Sequence, residues 1–247
     1  MTADVIRTES TRGVCTITLH RPDVLNAITP EMLRELRAAV LAAGDDEDVG
    51  VIVLTGEGRA FSAGVDLKAL GDRKLAEGAV GSILDGPARA ATEALTTVPK
   101  VVVAKVNGHC FTGALELALA CDLVVVAEEA KLGDTHAKWG LRPTWGMSAR
   151  LPAVVGLARA RELSLTARTF TGREAAEWGM AMRAVPREEL DAAVQELCSE
   201  LLENSRGSLA AYKALYRQPE LVAAVEREAY RRFDIRDSES RLAKFRK

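Results

Sequence analysis

The chain has 247 residues, of which 48% are hydrophobic and 28% charged, and its formal net charge at pH 7 is -2. This composition suits one globular domain with a sizeable core and an appendage, and the near-neutral charge provides no basic field that would draw in nucleic acid. No apolar run approaches the roughly 20 residues that cross a bilayer, so neither nucleic acid nor a membrane is an expected partner.

The N-terminus and the cysteines predict a cytoplasmic protein. Residues 1–7 are acidic and polar, whereas a secretory signal begins basic and continues apolar. The four cysteines, Cys15, Cys110, Cys121 and Cys198, are scattered without Cys-x-x-Cys spacing. We therefore expect free thiols in a reducing compartment.

The first predicted elements are a strand and a helix. Apolar and polar residues alternate from Gly13 to His20, which predicts a strand with one exposed face. Thr29 is the expected N-cap of a helix that starts at Pro30 and runs to Gly44 with an apolar stripe.

Short apolar runs alternate with helical stretches through the middle of the chain. The runs Val51 to Leu54, Val101 to Val106 and Leu123 to Ala127 predict strands that are buried on both faces. Such alternation favours an α/β core with mainly parallel strands. Lys68 to Gly86 is rich in Gly, Ala and charged residues, which predicts a mobile surface loop.

The pattern becomes helical near Thr171. Thr171 to Glu174 forms a capping-box sequence that opens a short helix. A longer helix is predicted from Pro186, with an apolar face made of Leu190, Val194, Leu197 and Leu201. We predict a core over residues 1–185 and a C-terminal helical oligomerisation region over residues 186–247.

The sequence lacks the common motifs for nucleotide cofactors, metal ions and nucleophilic serine. Phe61 stands where a dinucleotide fingerprint after Gly56 needs Gly or Ala, and no Gly-Lys-Ser/Thr sequence occurs. Ser62 is not in a G-x-S-x-G elbow. The three histidines, His20, His109 and His136, lack metal-ligand spacing, so no metal site is expected.

Two glycine turns that follow buried strands carry a family resemblance. They read GRAFSAGVDLKAL (58–70) and NGHCFTGALEL (107–117). Together with RPDVLNAIT, CDLVVVAEEAKLG, LTARTFTGREAAEWGM and LAKFRK, in that order, they resemble the crotonase, or enoyl-CoA hydratase/isomerase, superfamily over most of the chain. The resemblance implies an α/β fold, a spiral of ββα repeats whose C-terminal helical region forms a trimer or a dimer of trimers.

The resemblance also implies how the two turns act. In this family one backbone N–H from each turn holds the thioester oxygen of an acyl-CoA, and by motif these belong to Val65 and Gly113. Such an oxyanion hole stabilises an enolate, and the start of a helix at Gly113 favours negative charge. Glu116, in an otherwise apolar helix, matches the first of two hydratase glutamates, and burial can raise its pKa for acid–base work.

The sequence departs from the family pattern at several positions. His136 stands where the second hydratase glutamate is expected, and its imidazole either carries a proton near neutral pH or only fills the pocket. Thr112 and Ala114 replace preferred glycines. Trp145, in PTWGMSARL, is expected near the acyl end.

Contacts to coenzyme A carry over from the same motifs. The implied positions are Leu25, Ala27, Ala63, Gly64, Asp66, Leu67 and Lys68. Phe245 and Lys247 match a tail that reaches coenzyme A in some members. Coenzyme A enters as part of the thioester substrate, and no separate cofactor is expected.

The leading interpretation is hydration of a trans-2-enoyl-CoA to the 3-hydroxyacyl-CoA, with Glu116 activating water. Double-bond isomerisation of a 3-enoyl-CoA needs only one base and tolerates the missing glutamate. Decarboxylation and thioester hydrolysis use the same oxyanion hole. A different class is a catalytically silent oligomer that binds acyl-CoA.

Overall fold

Six strands form the larger of two sheets in the computed structural model, which describes residues 4–68, 78–217, 219–230, 241 and 243. The strands are Ile6–Thr11 (β1), Val14–Leu19 (β2), Val51–Gly56 (β3), Val101–Val106 (β5), Leu123–Ala127 (β7) and Arg183–Val185 (β10). They lie in the order β1-β2-β3-β5-β7-β10. Only the edge pair β1–β2 is antiparallel, so the predicted mainly parallel core is confirmed.

The smaller sheet has four short strands in the order β4-β6-β8-β9. They are Ala60–Ser62 (β4), His109–Phe111 (β6), Lys131–Gly133 (β8) and Phe170–Thr171 (β9). The strands β4, β6 and β8 are parallel, and β9 pairs with β8 antiparallel.

Helices follow the strand pairs in a repeating order. They are Pro30–Asp45 (α1), Ser82–Thr97 (α2), Gly113–Ala118 (α3), Met147–Thr166 (α4), Gly172–Glu177 (α5), Leu190–Leu202 (α6), Arg206–Tyr216 (α7) and Pro219–Tyr230 (α8). The units β3-β4-α2, β5-β6-α3 and β7-β8-α4 each place one strand in each sheet before a helix. This is the predicted spiral of ββα repeats.

Local sequence signals explain the well-predicted elements. Alternate side chains of β2 are buried, as the pattern of apolar residues predicted. Thr29 Oγ1 accepts a hydrogen bond from Met32 N at 3.1 Å, and Pro30 is the first residue of α1. The capping box at Thr171 is formed in both directions with Glu174.

The predicted surface loop Lys68 to Gly86 is partly wrong. Residues 69–77 lie outside the described residues, but α2 begins at Ser82, so residues 82–86 are helical. Gly81, at φ 87°, precedes the helix without a side-chain cap, and Gly86 and Pro87 in the first turns resemble helix breakers. Tertiary contact with α1 stabilises the helix in spite of these residues.

The apolar face predicted for the helix after Pro186 is buried in its own chain. Pro186 precedes a short 3₁₀ turn, and α6 starts at Leu190. Leu190, Val194 and Leu197 are buried in the core, where α6 packs on β7 and β3. A mainly parallel sheet needs cover on both faces, so this face gives no support to oligomerisation. Among the described helices, none is long and apolar enough to cross a membrane.

Candidate active site

The two glycine turns are in direct contact. Gly64 has a φ of +92°, and a Cβ there would overlap Thr112 Oγ1 and lie 2.8 Å from the carbonyl oxygen of Phe111. Glycine is therefore required both by the backbone conformation and by the close approach. The contact brings the segment after β4 against the segment that leads into α3.

Val65 and Gly113 line one cavity of about 80 Å³. The bridge between Ile28 and the first turn uses the Gly64 carbonyl and the Asp66 amide, so it leaves out the N–H of Val65. Gly113 is the first residue of α3, where N–H groups have no acceptor within the helix. Within the described part of the chain, no acceptor is found for either amide.

Glu116 is a buried carboxylate on the wall of the same cavity. Its exposed fraction is 1%, and every residue of α3 is buried. Its Oε1 accepts hydrogen bonds from Trp145 N at 2.9 Å and from Met147 N at 3.0 Å. Burial raises the pKa of Glu116 to about 8, although His136 and the Met147 amide oppose the rise. At that pKa the carboxyl can both accept and return a proton near neutral pH.

His136 lies between two carboxylates. Its Nε2 is 3.6 Å from Glu116 Oε2, and its Nδ1 is 2.6 Å from Asp134 Oδ1. Burial by itself lowers the pKa of His136, but the hydrogen bond to Asp134 and the charge of Glu116 outweigh it, so the pKa is raised. An ionised carboxylate only accepts hydrogen bonds, so Nδ1 donates to Asp134 and Nε2 faces Glu116.

The indole of Trp145 closes the cavity against α3. A Cβ on Gly113 would overlap the indole and lie 2.9 Å from its Cη2. Trp145 Nε1 donates to Asp85 Oδ1 at 3.1 Å, and Thr144 Oγ1 donates to the same oxygen at 2.7 Å. The side chain is thus held as a fixed wall beside the predicted oxyanion donor.

The predicted coenzyme A residues fall into two groups. Ala63 and Leu67 line the cavity itself. Leu25, with φ 54°, and Ala27 flank the buried Asn26 on the neighbouring segment. The amide of Ala63 donates to the Leu25 carbonyl at 2.9 Å, so the segment and the turn are joined.

Asp66 and Lys68, both predicted to contact coenzyme A, make different contacts in the structure. Asp66 Oδ2 is 2.9 Å from Arg21 Nη1, which also donates to the Ala27 carbonyl at 2.6 Å. Asp66 therefore fixes the turn, while the exposed Lys68 donates its amide to Asp66 Oδ1 at 3.0 Å. Phe245 and Lys247 lie outside the described residues.

Sequence reasoning missed two buried carboxylates near Glu116. Asp134 is two residues before His136, and this spacing was available as a signal in LGDTH. Glu228 lies on α8, and its two oxygens accept hydrogen bonds from Gly146 N and Ser148 N. No local pattern could have placed Glu228 there, because its amide partners are 82 and 80 residues away.

Comparison with known proteins gives the family. The sequence profile described as enoyl-CoA hydratase/isomerase matches residues 9–240. The chain belongs to this family. The resemblance predicted from the sequence motifs is thereby confirmed over nearly the whole chain.

Family relatives and solved structures agree with this membership. A probable peroxisomal enoyl-CoA hydratase of Arabidopsis thaliana is 34% identical over 203 residues, which cover 82% of this chain and 74% of the relative. A probable enoyl-CoA hydratase of Mycobacterium bovis is 36% identical, covering 77% and 72%. The crystal structure of an enoyl-CoA hydratase/isomerase from Xanthobacter autotrophicus Py2 superposes with a TM-score of 0.89 at 33% identity, covering 99% of this chain and 93% of the other.

Proposed function

We propose that this protein is an enoyl-CoA hydratase, which adds water across the double bond of a trans-2-enoyl-CoA to give the 3-hydroxyacyl-CoA. The observation that carries the proposal is one cavity lined by Val65, Gly113, the buried Glu116 and the neighbouring His136. The amides of Val65 and Gly113 have no acceptor among the described residues. The relatives from Arabidopsis thaliana and Mycobacterium bovis are named as probable enoyl-CoA hydratases.

The proposed reaction begins at the thioester carbonyl, held by the amides of Val65 and Gly113. Glu116 takes a proton from water as the oxygen bonds to C3, and the double-bond electrons pass into an enolate on the thioester. The two amides stabilise that charge more than they stabilise the substrate, which is what lowers the barrier. His136, with its raised pKa, then gives a proton to C2.

Glu116 and His136 return to their starting protonation states by proton transfer between them. After addition Glu116 holds the proton that came from water, and His136 has lost one to C2. The separation of 3.6 Å between Glu116 Oε2 and His136 Nε2 allows a small movement to return the proton to the imidazole. The net change is addition of one water molecule, with no redox step.

A second candidate is isomerisation of a 3-enoyl-CoA. Among the described residues, Glu116 is the only carboxylate that lines the cavity. One base that removes a proton from C2 and returns it to C4 is sufficient for that reaction, which uses the same enolate.

A panel of 2-enoyl and 3-enoyl CoA esters of several chain lengths, with products identified by mass, tests the proposal. We expect a mass gain of one water on 2-enoyl esters, with Glu116→Gln as the matched inactive control. A 3-enoyl ester that changes its chromatographic retention to that of the 2-enoyl isomer, with no change in mass, would favour the isomerase. Tight binding of a non-reactive acyl-CoA without turnover of any ester would favour the silent binding protein.

We also propose a homotrimer, or a dimer of trimers, assembled through α7. Three large apolar side chains of this helix are exposed, Tyr212, Leu215 and Tyr216, at 57%, 77% and 74%. Leu157 of α4 is exposed at 55%. Apolar surface of this kind is typical of protein–protein contacts, and the occupant we propose is a second copy of the chain.

A cytoplasmic location remains part of the proposal. All four cysteines are free thiols, and Cys15, Cys110 and Cys198 are buried. Free thiols are the usual state in a reducing compartment. Fractionation of the native cells, with the protein followed by antibody, tests this location.

A further inference from the structure

The peptide N–H groups of residues 145–148, at the start of α4, donate alternately to Glu116 and Glu228. Glu116 binds the amides of residues 145 and 147. Glu228 binds the two others in this run of four: Gly146 N donates to its Oε1 and Ser148 N to its Oε2, both at 2.6 Å. The first amides of a helix have no acceptor within it, and a carboxylate is favoured at this end of the helix dipole. The four amides are therefore bound by two carboxylates.

The helix that carries Glu228 packs directly against this turn. Gly146 has a φ of +116°, and a Cβ there would overlap Arg150 Nη1 and lie 3.2 Å from Val225 Cγ2 of α8. Arg142, which lines the cavity, donates from Nη1 to the Glu228 carbonyl at 2.9 Å. Displacement of α8 would thus move both the turn and one wall of the cavity.

Glu228 also contributes to the electrostatics of Glu116. The charged groups that face Glu116 are His136, Asp134, Arg150 and Glu228. Burial is the main cause of the raised pKa of Glu116, His136 opposes it, and the negative charge of Glu228 adds to it. Loss of that charge would therefore lower the pKa of Glu116.

We propose that Glu228 is a positioning residue for Glu116, which makes α8 part of the catalytic unit although Glu228 does not line the cavity. It accepts hydrogen bonds from the two amides of the turn 145–148 that do not donate to Glu116, so that the amides binding Glu116 keep their places. The catalytic part of this inference rests on the hydratase function proposed above.

Three variants test the role by kinetics. Glu228→Ala leaves two amides without an acceptor, and we expect kcat to fall about 10²-fold, the usual effect of a small misplacement of a catalytic group. Glu228→Gln keeps one oxygen and should lose about tenfold. KM should change by less than about threefold in both, because Glu228 itself does not line the cavity. Glu226→Gln, an exposed change on the same helix, should match the wild type.

An NMR titration of ¹³C-labelled glutamate carboxyls tests the same role without turnover. We expect the pKa of Glu116 to fall in Glu228→Gln and to stay unchanged in Glu226→Gln. In the kinetic assay the acid limb of kcat should move to lower pH by the same amount. Glu228→Gln preserves size and one acceptor, so it serves if Glu228→Ala does not fold.

The outcomes separate this inference from the proposed function. A wild type that hydrates no enoyl-CoA would refute the hydratase, while a lowered pKa of Glu116 in Glu228→Gln would still support the positional contact. An unchanged Glu116 titration, or variants with a wild-type kcat, would overturn the inference even if the wild type is a hydratase.

Discussion

Asp134 fixes which nitrogen of His136 faces Glu116. The 2.6 Å contact with Nδ1 uses one nitrogen as a donor, and Nε2 is left at 3.6 Å from Glu116. The same contact is the largest of the effects that raise the pKa of His136 against the opposing effect of burial. A protonated imidazole near neutral pH is what delivery of a proton to C2 requires.

The Asp134–His136 contact predicts a specific pH dependence. If protonated His136 is the acid, activity persists below its pKa and is lost as the pH rises through it. Asp134→Asn lowers that pKa, so the basic limb of kcat should move to lower pH and kcat should fall about tenfold. His136→Ala should lose about 10²-fold and the whole limb. An unshifted limb in Asp134→Asn, measured on a 2-enoyl-CoA, would show that His136 only fills space.

At the scale of elements, the proposed oxyanion hole depends on how the two turns pack together. Gly64 allows the first turn to touch the second, and Gly113 lets the Trp145 indole approach α3. The amides of Val65 and Gly113 are therefore placed by the backbone, and no side chain at position 65 is needed for the donor.

Changes in the first turn should separate backbone from side-chain effects. Val65→Ala keeps the N–H, and its turnover should stay within about threefold of the wild type. Gly64→Ala would overlap Thr112 Oγ1 at a φ of +92° and displace the amide. Loss of one oxyanion donor costs about 10²–10³ in rate. Equal kcat/KM losses in the two variants would mean that the Val65 side chain, and not its amide, matters.

Elements with strong local signals could be predicted, and those fixed by distant contacts could not. Thr29 and Pro30 mark the start of α1, and apolar runs mark β3, β5 and β7. The start of α2 was missed because Gly81 provides no side-chain cap and Gly86 lies in the first turns. The α2 helix is stabilised by packing on α1. That packing cannot be predicted from the local sequence of α2.

The residues of the candidate site also include some that the sequence predicts and one that depends on distant contacts. Glu116 stands out as a carboxylate in an apolar helix, and the motif resemblance gave His136, Val65 and Gly113. Glu228 could not be found from the sequence, because a glutamate on an amphipathic helix usually faces solvent. Only the packing of α8 on α4 buries it against the turn beside Glu116.

For the whole molecule, the exposed face of α7 predicts self-association. Sedimentation at micromolar concentration should give a trimer or hexamer. Leu215→Glu places a charge at an apolar position that is 77% exposed in the isolated chain, so it should shift the protein toward monomer without loss of the fold by circular dichroism. A monomeric wild type would refute the assembly proposal.

Acid–base chemistry by Glu116 is the central claim, and Glu116→Gln tests it most directly. The change keeps size and the hydrogen bonds from the turn but removes the exchangeable charge. We predict that hydration of a 2-enoyl-CoA falls by roughly 10²–10⁴, while the Kd for a non-reactive acyl-CoA changes little, because the proposed oxyanion amides are untouched. Near-normal hydration by Glu116→Gln would contradict the account.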